Sequence, residues 1–264
     1  MQLTVDDCAT YAYTGARALR ADQPTLVFIH GAANDHSVWA LQSRYFAHHG
    51  RNVLAFDLPA HGRSAGVCLA TVEAIADWTV RALDAADVAN ATIVGHSLGA
   101  LATLACAARH RDRVERAVLI GPAVPMQVSD ELLRAADLDP QLAYELICGW
   151  SHSAQGKLGG NPVPGMWMTG SALRLMERSQ PGALHADLLA CRNYAGGLDA
   201  AAATTCPVLV VMGARDIMTA PKAAQEMLSR LPDQRAIVLP DAGHAMMAEQ
   251  PDAVLDALRS FLKR

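Results

Sequence analysis

The chain has 264 residues, 52% of them hydrophobic and 18% charged, with a formal net charge of −4. This composition excludes a disordered or coiled-coil chain and fits one α/β domain able to bury a large core. The slight acidic excess offers no basic footprint, so the expected partner is a small-molecule substrate and not nucleic acid.

In chain order, Leu3–Arg20 reads as a hairpin, with alternation in Ala9-Thr10-Tyr11-Ala12-Tyr13. Thr25–His30 is a continuous apolar strand ending at Gly31. Ser37–His49 is expected to be helical, with Val38, Leu41, Tyr45 and Phe46 on one face. Asn52–Phe56 is a second buried strand, and Thr71–Ala86 a helix in which Val72, Ile75, Ala76, Thr79, Val80 and Leu83 recur at helical spacing. Ala91–Val94 is a strand, a small-residue helix starts at Leu98, and Val114–Ile120 is another strand. Short apolar strands alternating with helices imply a mostly parallel sheet covered on both faces.

The rhythm breaks over Gly121–Ala200. Helical pieces are expected at Asp130–Cys148, Ser171–Glu177 and Leu184–Tyr194, with a Gly/Pro-rich joint at 159–165. We read 124–198 as a helical lid inserted into a single domain spanning 1–264. The alternation resumes at Pro207–Met212, Pro221–Arg230, Arg235–Leu239 and Pro251–Lys263.

No run approaches the ~18 apolar residues of a membrane span. Met1–Asp7 lacks the features of a secretion signal. The six cysteines (8, 68, 106, 148, 191 and 206) form no C-x-x-C and have no histidine at metal-ligand spacing. Reduced thiols in a cytoplasmic protein, with no metal or other cofactor, are therefore expected, and the Asn90-Ala91-Thr92 sequon is expected to be idle.

The chemistry centres on Gly95-His96-Ser97-Leu98-Gly99, between a strand and a helix. In that setting G-x-S-x-G is a sharp turn that lifts the serine hydroxyl out of the sheet. A serine hydroxyl needs a neighbouring base, and the base needs an orienting carboxylate. On a parallel sheet such partners gather beyond the C-terminal strand ends. Asp216 follows the strand at Pro207 and His244 the strand at Arg235, so Ser97, Asp216 and His244 are the candidate nucleophile, acid and base. Asp216 could instead cap the helix at Pro221, and Asp199, Asp233 or Asp241 could supply the carboxylate, though Asp241 reads better as a turn residue. Leu98, at the helix start, offers one backbone N–H to an oxyanion. His96 is expected to wedge against neighbouring loops, and His30 and His61 to tie loops together. His36, His48, His49, His110, His152 and His185 carry no motif.

These pieces, with His30-Gly31 before Trp39, Asp57-x-Pro-x-His-Gly-x-Ser64, Gly213-x-x-Asp216, Ala242-Gly243-His244 and Glu249-x-Pro251, resemble the α/β-hydrolase superfamily over nearly the whole chain. The resemblance implies a sheet of about eight strands with the second antiparallel, and Ala32 as the second oxyanion N–H. It implies a serine hydrolase cleaving an ester, thioester or lactone of a small, mainly apolar substrate through an acyl-enzyme. The alternatives are a carbon–carbon bond hydrolase, disfavoured by His96 and Ala245 where Asn and Trp are usual, a cofactor-free perhydrolase or acyltransferase, and a non-catalytic receptor. Epoxide hydrolases and haloalkane dehalogenases use Asp where this chain has Ser97. Met126, Trp167, Met218 and Ala245 are expected to line the pocket, within an adaptable apolar surface of Met and Trp. Arg174, Arg178 and Arg192 are read as a solvated face that could take a substrate carboxylate.

Overall fold

A computed structural model describes residues 1–160 and 165–263. The apolar runs become β1 (Gln2–Val5), β2 (Cys8–Tyr13), β3 (Thr25–Ile29), β4 (Asn52–Phe56), β5 (Ala91–His96), β6 (Val114–Ile120), β7 (Val208–Gly213) and β8 (Gln234–Leu239). They form one sheet in the order β1-β2-β4-β3-β5-β6-β7-β8. β2 is antiparallel to both β1 and β4, and every later pairing is parallel.

β3, β4 and β5 are buried along their whole length, as strands covered on both faces must be. Their period of two sends Val27, Ile29, Leu54 and Phe56 to one face and Leu26, Phe28, Val53 and Ala55 to the other. The first set packs with Ile75 and Trp78 of α2 (Val72–Ala85), after α1 (Ala40–Ala47), and with Leu101 and Leu104 of α3 (Leu98–Arg109). The second meets Trp39 and Phe46 near α1, and Val254 and Phe261 of the C-terminal helix.

Between β6 and β7 the described residues contain helices and no strand: α4 (Asp130–Leu138), α5 (Pro140–Ser151), α6 (Ala154–Lys157), α7 (Met168–Met176), α8 (Ala183–Asn193) and α9 (Gly197–Ala203). After β7 come α10 (Gln225–Arg230), α11 (Met246–Glu249) and α12 (Pro251–Leu262). Leu132, Leu133, Tyr144, Met176, Leu184 and Leu188 give the inserted helices their own apolar cluster, which also takes in Ala33 from the body. α9 crosses the expected boundary at 198 and packs on α3 and α10.

Two expectations need correction. The segment expected as helix from Ser37 opens as a 3₁₀ turn, His36–Trp39, capped by the Asp35 side chain. Asp130–Cys148 is two helices: Pro140 disfavours a helical residue before it, so Asp139 leaves the helical region (φ −145°) to end α4 and cap α5. The short helices α6, α9 and α11 had no periodic signal. Within the Gly/Pro-rich joint, residues 161–164 lie outside the described residues.

Candidate active site

The turn after β5 is tight because it must be. Ser97 has φ 55° and ψ −117°, a left-handed conformation that side chains rarely adopt, and its N–H donates to the Ile120 carbonyl at 2.9 Å. A Cβ on Gly95 would strike the Gly99 backbone, and one on Gly99 the carbonyls of Ile29 and His30. Gly99→Ala therefore forces α3 off β3, because the atoms in the way are backbone. It is expected to lower unfolding stability by about 3 kcal/mol, read as a shifted urea midpoint.

Two loops bring the other candidates together. Ala214 N–H donates to Leu239 O and Arg215 N–H to Ala242 O, which closes the ends of β7 and β8 onto each other. Gly213 permits this approach, since a Cβ there would meet the Ala242 and Gly243 carbonyls. His244 Nδ1 then lies 2.7 Å from Asp216 Oδ2. The Met218 and Thr219 N–H groups each donate to Asp216 Oδ1 at 2.8 Å, and the Thr219 hydroxyl to Oδ2 at 2.7 Å. Burial pushes the Asp216 carboxyl up, but the His244 charge and these donors outweigh it and hold the group well below the usual carboxylate range. Asp216 does not cap the turn at Pro221, whose cap position is Ala220. Asp241 is exposed and pairs with Arg215 at 3.0 Å, and Asp199 and Asp233 are also exposed.

His96, the residue before Ser97, is buried, and its Nε2 bonds to the His244 carbonyl at 2.9 Å. A carbonyl only accepts, so Nε2 carries the proton. Desolvation pulls this imidazole down to about 3, which keeps it neutral.

Ser97 and His244 open onto a cavity of about 980 Å³ whose lining includes Ala32, Met126, Met218 and Ala245. Leu98 is buried in the core, so it can present only its backbone. Neither the Ala32 nor the Leu98 N–H has an acceptor among the described residues. Trp167 is a correction: it is 70% exposed, stands over Gly170 and is absent from the cavity wall. Trp150, Met168 and Met176 are in the wall instead. Arg174 and Arg178 also border the cavity, but each is paired, with Glu177 at 2.6 Å and Asp35 at 2.7 Å; Arg192 pairs with Asp130 at 2.6 Å.

Several residues here carried no assigned role. Thr219 bridges Asp216 and His244, with Oγ1 3.0 Å from Nδ1. Glu249 had a motif but no partner; its Oε2 accepts from Gly243 N–H and its Oε1 from Ser153 N–H, both at 2.8 Å, joining the His244 loop to the segment after α5. Asp187 of α8 is buried against Ala33 and His61. His152 borders the cavity from the end of α5.

Among the described residues, one group has metal-ligand spacing, Asp35, His36 and Asp57. Its oxygens are already engaged: Asp57 accepts from the His36 backbone and ring and from Arg63 N–H, and Asp35 from Ser37 and Arg178. The cluster is accounted for as the tie that holds its turns. No described helix is long and apolar enough to cross a membrane.

This sheet, with a serine turn after its central strand and an Asp–His pair beyond two later ones, is the architecture of a hydrolase fold. The profile of the alpha/beta hydrolase family matches residues 26–257, and the chain belongs to that family. It is 30% identical to the pimeloyl-[acyl-carrier protein] methyl ester esterase of Aromatoleum aromaticum over 249 residues, covering 88% of this chain and 95% of that one. It is 25% identical to the (E)-2-((N-methylformamido)methylene)succinate hydrolase of Acinetobacter baylyi, covering 90% of each. The enol-lactonase from Burkholderia xenovorans LB400 superposes over all of both chains with a TM-score of 0.89 at 22% identity, a likeness of fold.

Proposed function

We propose that this hydrolase-family chain is a serine hydrolase that cleaves an ester, thioester or lactone through an acyl-enzyme on Ser97. The observation that carries the reading is the 2.7 Å contact of Asp216 with His244, which shares a cavity wall with the strained Ser97. Asp216 accepts from Nδ1–H, which leaves His244 Nε2 as the lone-pair nitrogen. That nitrogen takes the Ser97 proton as Oγ bonds to the substrate carbonyl carbon. The carbonyl electron pair moves onto oxygen, where the Ala32 and Leu98 N–H groups receive it. Collapse expels the alcohol, thiol or ring oxygen with the proton returned by His244. A water deprotonated by His244 then repeats the sequence and releases the acid.

The inserted helices act in this reading as a lid that shapes the acyl pocket. Its methionines adapt to several apolar shapes, so uncharged short-to-medium acyl groups are the favoured substrates. Both cavity arginines are engaged by carboxylates, which supports a preference against anionic acyl chains. A neutral p-nitrophenyl ester should have the higher kcat/KM than a carboxylate-bearing analogue, and the reverse order would promote Arg174 or Arg178 to substrate ligands.

The pH profile follows from the same pair. Asp216, with its pKa depressed, stays ionised through the neutral range, and its stabilising contribution is lost only as pH falls through that low value. Because the base must be neutral to take the Ser97 proton, activity should fall as pH is lowered, equally with and without EDTA. An EDTA-sensitive rate would remove the metal-free mechanism. Labelling by a fluorophosphonate, abolished in Ser97→Ala, tests the nucleophile directly.

A further inference from the structure

The peptide on either side of Ala32 is held by side chains that do not reach the cavity. On one side, His30 Nδ1 lies 2.8 Å from the Gly31 carbonyl and the Leu58 N–H donates to His30 Nε2 at 3.1 Å. The first contact requires the proton on Nδ1 and the second a bare Nε2, so His30 is neutral; desolvation pulls it down to about 4. In a planar trans peptide the Ala32 N–H points opposite to the Gly31 carbonyl, so pinning that oxygen aims the donor.

On the other side lies Ala33, fully buried at φ 52°, a strained conformation that must be imposed from outside. Both of its backbone groups are held by the inserted segment. Its N–H donates to Asp187 Oδ2 at 2.9 Å, and its carbonyl accepts from the Ser179 hydroxyl at 2.9 Å. Asp187 Oδ2 also lies 2.9 Å from His61 Nε2, and His61 Nδ1 lies 2.9 Å from the Pro59 carbonyl. Both His61 nitrogens face oxygens that only accept, so the ring carries two protons and forms a buried ion pair with Asp187. Burial opposes that charge, and Asp187, the Pro59 carbonyl and Asp57 overcome it, raising the imidazole above its ordinary range.

We propose that Asp187 is a positioning residue for the oxyanion site: from α8, and through its pair with His61, it fixes the loop that carries the Ala32 donor. This rests on the serine-hydrolase reading above. Docking of the inserted helices then completes the site that stabilises the transition state, as well as covering the substrate. A donor displaced this way weakens binding of the developing oxyanion and leaves ground-state binding intact, so the loss falls on kcat and spares KM.

The sign of the pH effect follows. A raised His61 holds its charge, and with it the pair, up to its raised value, and loses it as pH rises through that value. The other titratable groups near the pair are His30, already neutral, Asp57, already ionised, Cys68, whose thiol burial pushes up to about 11, and Cys191 of α8, whose thiol burial and Asp187 push higher still. Measurement below that range isolates His61.

The experiment compares wild type, Asp187→Asn, His61→Gln and Ser97→Ala, with kcat and KM for a neutral p-nitrophenyl ester followed against pH, and folding followed by thermal melts. Asp187→Asn should lose roughly ten- to a hundredfold in kcat with KM within about threefold, part of what a missing oxyanion donor costs. His61→Gln, whose amide still donates to Asp187, should lose less and should lack the alkaline fall in kcat shown by wild type. If Asp187→Asn does not fold, His61→Gln decides: retention of the wild-type alkaline limb overturns the proposal. A folded Asp187→Asn with wild-type kcat, or with only KM raised, also overturns it. Activity retained in Ser97→Ala would instead overturn the serine-hydrolase reading, so the two failures are distinct.

Discussion

Ser97→Ala is expected to lower kcat/KM for a p-nitrophenyl ester by at least about a thousandfold, leaving the oxyanion donors and substrate binding as residual catalysis. The fold should survive. The Ser97 side chain has no hydrogen-bond partner among the described residues, and its backbone is held by the N–H bond to Ile120 O and by the start of α3. Alanine has the same Cβ, so it meets the left-handed turn with the strain that serine already carries. The variant should therefore keep the wild-type urea midpoint while losing both turnover and fluorophosphonate labelling. A folded Ser97→Ala protein that turns over the ester at the wild-type rate would place the nucleophile elsewhere.

What could be read from the chain depended on the range of the interaction. Apolar runs such as Leu26–Ile29 and Val208–Met212 announced buried strands, because a strand covered on both faces needs an apolar residue at every position. Asp216 and His244 could be placed because strand ends on a parallel sheet converge. Local chemistry overrides periodicity at Pro140, where the apolar pattern runs on across the break between α4 and α5, and at Asp35, whose side chain caps a 3₁₀ turn. Long-range contacts were out of reach. Asp187 lies 154 residues from Ala33 and 126 from His61. An aspartate in a helix of the insertion looks like a solvated residue until the fold buries it. Glu249 differs only in sitting in a motif; nothing in its spacing shows that its two oxygens join Gly243 to Ser153. Trp167 faces outward and Trp150 lines the cavity because composition says only how much apolar surface the insertion carries, and helix orientation decides which of it turns inward.

Asp216→Asn is expected to cut kcat by roughly four orders of magnitude, through the imidazole tautomer and not through the fold. The asparagine carbonyl can keep the two N–H donors of Met218 and Thr219, because those bonds are made to Oδ1. The loss is at Oδ2, which His244 Nδ1 and the Thr219 hydroxyl share at 2.7 Å each. An amide NH₂ there donates where the carboxylate accepted, so it favours a bare Nδ1 and a protonated Nε2. Nε2 then faces the serine with a proton in place of the lone pair that must receive one, and the imidazolium formed during attack has lost its countercharge. Asp241→Asn is the matched control: Asp241 is three residues from His244 in sequence but exposed, and its pair with Arg215 is a surface pair worth at most about 1 kcal/mol. Its kcat should stay within about threefold of wild type. Steady-state kinetics on both variants, with urea midpoints to confirm folding, separate the two carboxylates. A severe Asp241→Asn beside a mild Asp216→Asn would mean that the residue orienting His244 during turnover is not the one 2.7 Å from its ring.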